Sequence, residues 1–155
     1  MSSGPLQFVT ALEMQVEPSP WGPHEWLSRP GLTEARELLL VRVRMPPGRA
    51  HQFHRHPAME EIIYVLSGTA EQWVDRERRT LGAGDIAHIP RDVVHGTYNC
   101  GSDPLVFLAI LSPAGATGAP PSRQCRREPG FSSARSGRSA ASPACWVSGE
   151  AAGPP

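Results

Sequence analysis

Glycine and proline divide the middle of the sequence into short runs in which apolar side chains alternate with others. In the clearest run every second residue is apolar, and the sequence PPG follows at once: Leu39, Val41, Val43 and Met45. A repeat of two residues predicts a β-strand with one buried face, because successive side chains of a strand point to opposite faces. This pattern constrains the fold more than any other feature of the chain.

Further runs of the same kind follow at short intervals up to residue 112. They read EIIYVL at 61–66, TAEQWVD at 69–75, IAHIP at 86–90, VVHGTYN at 93–99 and DPLVFLAIL at 103–111. The last run is apolar on both parities, and the charged sequence DRERR at 75–79 is interpreted as a turn. This part of the sequence has no convincing helical stripe. Short strands between turns predict an all-β fold, a small barrel or sandwich of two sheets.

The composition changes sharply near residue 112. Of the 43 residues in 113–155, 29 are Ala, Gly, Pro or Ser, so this segment cannot bury enough apolar area to offset its chain entropy. It is predicted to be a disordered, low-complexity tail. Residues 1–35 are predicted to form an extension on the barrel, which covers residues 36–112. The stretch SPWGPHEWLSRPG at 19–31 is interpreted as irregular, with Trp21 and Trp26 packing it across the barrel.

Charge and cysteine content argue against several classes of function. The formal net charge is zero, so neither a nucleic-acid partner nor a membrane partner is predicted. The first residues lack a basic segment followed by a long apolar one, so neither a signal peptide nor a transmembrane segment is expected. Three cysteines without a CxxC pair indicate neither a disulfide framework nor a thiolate zinc site. A cytoplasmic location is expected.

Three histidines precede two adjacent glutamates in the sequence HQFHRHPAMEEIIYVLSG, residues 51–68. On a regular strand His54 and His56 face the same way, so their imidazoles can converge on one metal ion. His51 has the opposite parity on such a strand and is expected to point away. An HxH pair is weak evidence alone, because two nearby histidines on an exposed strand are the more common explanation.

The spacing of the surrounding residues makes the pair more informative. The first group reads GX5HXHX4EX6G from residue 48 to residue 68. A second group reads GX5PX4HX3N from residue 84 to residue 99. Glycine and proline at one fixed spacing occur by chance in only about 0.4% of cases, so coincidence is a poor explanation for both groups together.

Both groups resemble the two sequence motifs of the cupin superfamily, specifically its small single-domain members. The resemblance covers roughly residues 36–112. It implies a small jelly-roll β-barrel of two antiparallel sheets, commonly dimeric, with one divalent metal ion held by three histidines and a glutamate. Carried over residue by residue, the implied ligands are His54, His56, Glu61 and His95. Asp92 stands where the motif usually has glycine, and aspartate tolerates the left-handed backbone conformation that glycine adopts.

The motif's spacing from HxH admits either of the adjacent glutamates as the ligand. Six residues separate Glu61 from Gly68, which is the spacing of the motif, and seven separate Glu60 from it. Glu61 also shares strand parity with Ile63 and Val65. Glu60 is therefore expected to face outward.

Strand parity also suggests which polar side chains line a pocket. Gln52 has the same strand parity as His54, and Thr97 has the same parity as His95. Gln72 has the same parity as Ala70 and Val74, which would place it on an inward face. These three residues are predicted to bind substrate, although a structural role is the simpler interpretation for each. The remaining histidines, His24 and His88, are expected to be structural, and the sequence places no general base.

The ligand set leaves the metal and its use open. Nitrogen and oxygen ligands suit Fe, Mn, Ni, Cu or Zn. A six-coordinate ion would keep two positions for water, dioxygen or a bidentate oxygen ligand. One hypothesis is an enzyme that oxidises, decarboxylates or isomerises a small oxygen-rich molecule. The alternative is a barrel that binds a sugar or small acid without turnover, and in both cases a homodimer is expected. A purely structural barrel with an incidental metal is disfavoured by the complete ligand set.

Overall fold

The structure is a computed structural model that describes residues 4–114. The predicted disordered tail lies outside the described residues from residue 115 onward. Residues 4–114 form ten β-strands and no helix, so this part of the chain contains no helix that could cross a membrane. The strands are β1 (Gln15–Glu17), β2 (His24–Ser28), β3 (Leu39–Met45), β4 (Ala50–His54), β5 (Glu60–Ser67), β6 (Ala70–Val74), β7 (Glu77–Leu81), β8 (Ile86–Ile89), β9 (His95–Tyr98) and β10 (Leu105–Ser112).

The strands form two antiparallel sheets, as predicted. The first has six strands in the order β1-β2-β3-β10-β5-β8, and the second has four in the order β4-β9-β6-β7. The long strand β10 lies between β3 and β5, with Leu111 opposite both Leu39 and Glu61. The chain passes repeatedly from one sheet to the other, which is the arrangement of a double-sheet jelly roll.

The core follows the alternation of the sequence. The four apolar residues of one parity in β3 are at most 3% exposed, and β10 buries every second side chain from Leu105 to Leu111. Three apolar residues of the other parity, Val106, Leu108 and Ile110, are only half-buried. Turns between strands require special backbone conformations: Gly68 has φ +79°, and a Cβ there would overlap the backbone of Pro104 and Leu105.

Two expectations about local structure were wrong. The turn predicted over residues 75–79 contains only Asp75 and Arg76, because Val74 already pairs with Glu77 across a hairpin. Asp75 adopts the left-handed conformation (φ 51°) that such a two-residue turn requires. The charged residues that follow belong to β7, an edge strand, where exposed charge prevents pairing with other chains.

The N-terminal stretch at 19–31 is not irregular throughout. Residues His24–Ser28 form β2, which pairs with β3, with His24 opposite Val43. The prolines and glycines on both sides mask this short strand in the sequence. Trp21 and Trp26 pack against the core cluster. Glu25, although only 8% exposed, is paired with both Arg42 and Arg44 on the neighbouring strand.

Candidate metal centre

Four side chains from both sheets converge at one end of the barrel. His54 ends β4 and His95 begins β9, and the two residues are directly opposite in the register of these strands. Glu61 is the second residue of β5, in the other sheet, and His56 lies in the loop between β4 and β5. One potential ligand atom from each residue lies within 4.8 Å of the others. The cluster could hold a metal ion.

Backbone carbonyl groups fix the orientation of two of the imidazoles. His54 Nδ1 is 2.7 Å from the carbonyl oxygen of Gln52, and His95 Nδ1 is 2.9 Å from that of Val93. Because a carbonyl oxygen only accepts, each Nδ1 must carry the proton. In the neutral ring the Nε2 atom then has a free lone pair, which is directed into the cluster. A hydrogen bond of this kind commonly orients a histidine that binds a metal.

The atoms at the centre of the cluster fit a cation. Among the described residues, His54 Nε2, His95 Nε2 and Glu61 Oε2 are buried and have no hydrogen-bond partner. Glu61 Oε2 lies 2.9 Å from His95 Nε2 and 3.3 Å from His56 Nε2. Lone pairs of neutral imidazoles and a carboxylate repel one another at such distances, and buried polar atoms without partners are costly. A divalent cation between them would remove both penalties.

Burial and charge favour the protonation states that a metal needs. Burial, with a further contribution from the nearby His95, lowers the pKa of His54 to about 4. Burial alone would raise the pKa of the Glu61 carboxyl group, but hydrogen bonds and positive charge from His56 and His95, which these rings offer when they are protonated, outweigh burial and hold that pKa below its ordinary value. A neutral imidazole and an ionised carboxylate are the forms that ligate metals, so these two groups do not require a proton to be removed near neutral pH.

The parity predictions for His51 and Gln52 were wrong. The register of β4 against β9 shifts between His51 and His54, which is the mark of a β-bulge. His51 therefore lies beside the cluster, with its ring centroid 3.8 Å from that of His54. Gln52 is exposed, and its side-chain oxygen is 3.5 Å from the hydroxyl group of Tyr98. Tyr98 follows Thr97 directly on β9, so Gln52 lies on the face opposite Thr97.

Gln72 and Thr97 lie on the inner face of the four-stranded sheet, each 2% exposed. They are opposite each other in the β6–β9 register, two residues from the pair formed by Val74 and His95. The Thr97 hydroxyl group donates to Gln72 Oε1 at 2.7 Å, and Gln72 Nε2 donates to the carbonyl oxygen of Trp73 at 3.0 Å. The Thr97 hydroxyl group and the Gln72 amide group thus each have a hydrogen-bond partner within the protein.

The residues around the cluster agree with several further expectations. Glu60 is exposed, as expected, with Oε2 3.3 Å from His88 Nε2. Asp92 adopts the left-handed conformation (φ 62°), and its backbone N–H donates to the carbonyl oxygen of His56 at 2.9 Å. The aromatic contacts of His51 with His54 and Trp21 were missed by sequence reasoning, because no signal in the alternation reveals a bulge.

A family model described as a cupin domain matches residues 41–111. The chain is 38% identical over 74 residues to oxalate decarboxylase OxdC of Bacillus subtilis, a match covering 44% of this chain and 19% of OxdC. It is 30% identical over 73 residues to the oxalate-binding protein of Thermotoga maritima, covering 47% of this chain and 60% of that protein. The chain therefore spans less than two thirds of the length of either relative.

The solved structure of KdgF from Halomonas sp. superposes on this fold with a TM-score of 0.60 at 25% identity, covering 69% of this chain and 94% of that one. The range matched by the family model runs from β3 to β10 and contains all four clustered side chains. Fold, cluster and family model thus concern the same residues, and the chain belongs to the cupin superfamily.

Proposed function

We propose that His54, His56, Glu61 and His95 hold one divalent transition metal ion, through which the barrel binds a small oxygen-rich acid. The observation that carries this proposal is the set of buried acceptor atoms directed at one another without a partner among the described residues. Three neutral imidazoles and one carboxylate suit a first-row ion such as Mn, Fe, Ni, Cu or Zn. They leave a divalent ion with a net charge of about +1, which attracts an anion.

Oxalate is the first acid to test. Its two carboxylates can chelate an ion that keeps two adjacent positions open, as a six-coordinate ion with four protein ligands would. The two curated relatives described above are named for oxalate, one as a decarboxylase and one as a binding protein. Gln72 and Thr97 are the polar side chains proposed to orient the acid, since they share the sheet face of His95. Gln52 is not, because it is exposed on the other face.

Decarboxylation is the second candidate function, and the 38% identity with OxdC favours it. In that reaction oxalate takes up one proton and yields formate and carbon dioxide. The site would have to supply that proton at carbon, and Glu61 is the only carboxyl group of the cluster. Binding without turnover is the simpler proposal, because Glu61 is already assigned to the metal.

Metal analysis of the purified protein and of His54→Ala tests the metal site. We expect one equivalent of a transition metal in the wild-type protein and less than a tenth of that in the variant. His88→Ala is the matched control, because His88 is exposed and lies outside the cluster. Equal metal content in the wild-type protein and His54→Ala would refute the site.

Calorimetric titration with oxalate, malonate and acetate then tests the ligand. We expect oxalate to bind more tightly than acetate, and only to the metal-loaded protein, because acetate cannot chelate through two carboxylates. Incubation with oxalate is followed by assays for formate and carbon dioxide. Equal amounts of both products would establish decarboxylation, and binding without products would establish the simpler function. No oxalate binding by the loaded protein would refute this choice of ligand.

We also propose that two copies of the chain associate through the outer face of the six-stranded sheet. Three apolar side chains are exposed at its β5–β8 end: Tyr64, Leu66 and Ile86. Tyr64 and Ile86 are cross-strand neighbours, so the exposed area is continuous. Sedimentation velocity should give a dimer for the wild-type protein and for the control Val16→Glu on the opposite edge, and a monomer for Ile86→Glu.

We propose separately that the protein is cytoplasmic, and cell fractionation tests this location.

A further inference from the structure

A series of stacked rings connects the N-terminal segment to the metal cluster. The ring of Trp21 lies on that of His51, with centroids 4.1 Å apart and planes 17° from parallel. His51 lies in turn on His54, with centroids 3.8 Å apart at 31°. His24 also contacts Trp21 in an edge-to-face arrangement, with ring centroids 4.3 Å apart and planes at 76°. His51 is thus enclosed between a tryptophan and a residue of the cluster.

The backbone around Trp21 is held firmly against the six-stranded sheet. Gly22 has φ +135°, and a Cβ at this position would overlap the carbonyl oxygen of Arg44 on β3. Gly22 also accepts a hydrogen bond from the Ser19 hydroxyl group at 2.6 Å and donates its N–H to the Ser19 carbonyl oxygen at 3.3 Å. His24 is fixed by its place opposite Val43. Trp21 therefore has a fixed position from which it limits the movement of His51.

The orientation of His51 argues for a role through His54 rather than as a ligand. A stacked ring presents its face to its neighbour, so the nitrogen atoms of His51 point along its edges. His51 is also not among the residues whose ligand atoms converge within 4.8 Å. The bulge in β4 is what brings this ring onto His54, because a regular strand would direct it to the other face.

We propose that His51 and Trp21 are positioning residues for His54, so that the N-terminal segment forms part of the metal centre. The hydrogen bond from His54 Nδ1 to the Gln52 carbonyl oxygen fixes one edge of the ligand ring, and the stack fixes its face. Together they restrict rotation of the imidazole about its bond to the rest of the side chain. This inference rests on the proposed metal-binding function.

Co²⁺ is a suitable probe, because its visible absorption reports the geometry of its ligands. The affinity for Co²⁺ and the spectrum of the bound ion are measured for His51→Ala, His51→Phe, Trp21→Ala and Trp21→Phe. A ring contact of this kind contributes enough to weaken binding about 3- to 10-fold when it is removed. We expect that loss, with an altered spectrum, in both alanine variants and near-normal values in both phenylalanine variants, which keep a ring.

Loss of folding could resemble loss of binding, so thermal unfolding of the metal-free proteins is measured in parallel. Leu105→Ala is the matched control: Leu105 is completely buried and lies six residues from Leu111, the β10 residue opposite Glu61. It should lower the unfolding temperature but leave the affinity for Co²⁺ and the spectrum unchanged. Weakening of binding in this control equal to that in His51→Ala would overturn the positioning role.

The remaining outcomes separate the two proposals. If the wild-type protein binds no Co²⁺, the metal-binding function fails, and the positioning role fails with it. If the wild-type protein binds and the alanine variants bind equally well with the same spectrum, only the positioning role is overturned. Equal losses in His51→Phe and His51→Ala would also overturn it, because a nitrogen atom of His51, and not its stacked ring, would then matter.

Discussion

Substituting Glu61 by glutamine should separate metal binding from folding, because the change removes a charge but preserves shape. Glu61 supplies the only carboxylate of the cluster, and its Oε2 atom is within 3.3 Å of two imidazole nitrogens. A hydrogen bond or contact that involves a charged group contributes about 1.5–3 kcal/mol, so the affinity for a divalent ion should fall roughly 100-fold.

The expected thermal shifts follow from mass action. Metal at 1,000 times the wild-type dissociation constant stabilises the fold by about 4.1 kcal/mol. With an unfolding entropy of roughly 2.1 cal/mol/K per residue over roughly 110 residues, this raises the unfolding temperature by about 18 °C. At the same metal concentration a 100-fold weaker site gives about 1.4 kcal/mol, or about 6 °C.

The assay is differential scanning calorimetry of each protein with EDTA and with a fixed metal concentration. Glu60→Gln provides the matched control, because Glu60 is the adjacent residue but is exposed and contacts only His88 among the interactions described for its side chain. It should keep the full metal-induced shift. The assignment of Glu61 is refuted if Glu61→Gln retains a shift of wild-type size, or if Glu60→Gln loses it.

Three further predictions follow from the same structure. In EDTA the fold should lose stability as pH falls from about 6.5 towards 4. The pKa of His54 is about 4 in the folded chain but has the ordinary histidine value in the unfolded chain, so the unfolded state binds a proton first as pH falls. A urea midpoint that is the same at pH 7.5, 6 and 5 would contradict this. Asn99→Asp should lower the unfolding free energy by about 2–4 kcal/mol in urea titrations while retaining metal, since the completely buried Asn99 amide donates to the carbonyl oxygens of Met45 and Asp103. Metal should slow amide hydrogen exchange in β4 and β5 but not in the edge strand β7, because the cluster joins the two sheets and β7 contributes nothing to it.

Most of the strands could be predicted from the sequence, because burial of one face imposes alternation. The strand at Leu39–Met45 has that pattern in full and was predicted correctly. The strand at Glu77–Leu81 was not, because an exposed edge strand has no buried face until Leu81 and reads as a charged turn. The strand at His24–Ser28 was missed for a different reason: it is short, its one buried residue is the charged Glu25, and proline lies close to both ends.

The cluster itself was predictable from spacing and family resemblance, but not from strand parity alone. The prediction from strand parity assumed a regular strand from His51 to His56. In the structure β4 ends at His54, and its register shifts before that residue. His56 nevertheless joins the cluster from the loop, where the Asp92 N–H holds its carbonyl group. The position of a loop residue depends on such tertiary contacts, which alternation does not encode.

The bulge in β4 shows why the irregular part of the strand coincides with the candidate site. A regular strand would place Gln52 on the inner face beside His54 and turn His51 outward. The register shift reverses this: His51 lies on His54, while Gln52 reaches Tyr98 on the outer side. Regular ladder pairing is interrupted between His51 and His54. The carbonyl group of Gln52, within this interruption, is directed at His54 Nδ1. One local irregularity therefore fixes both the tautomer of His54 and the ring that packs on it.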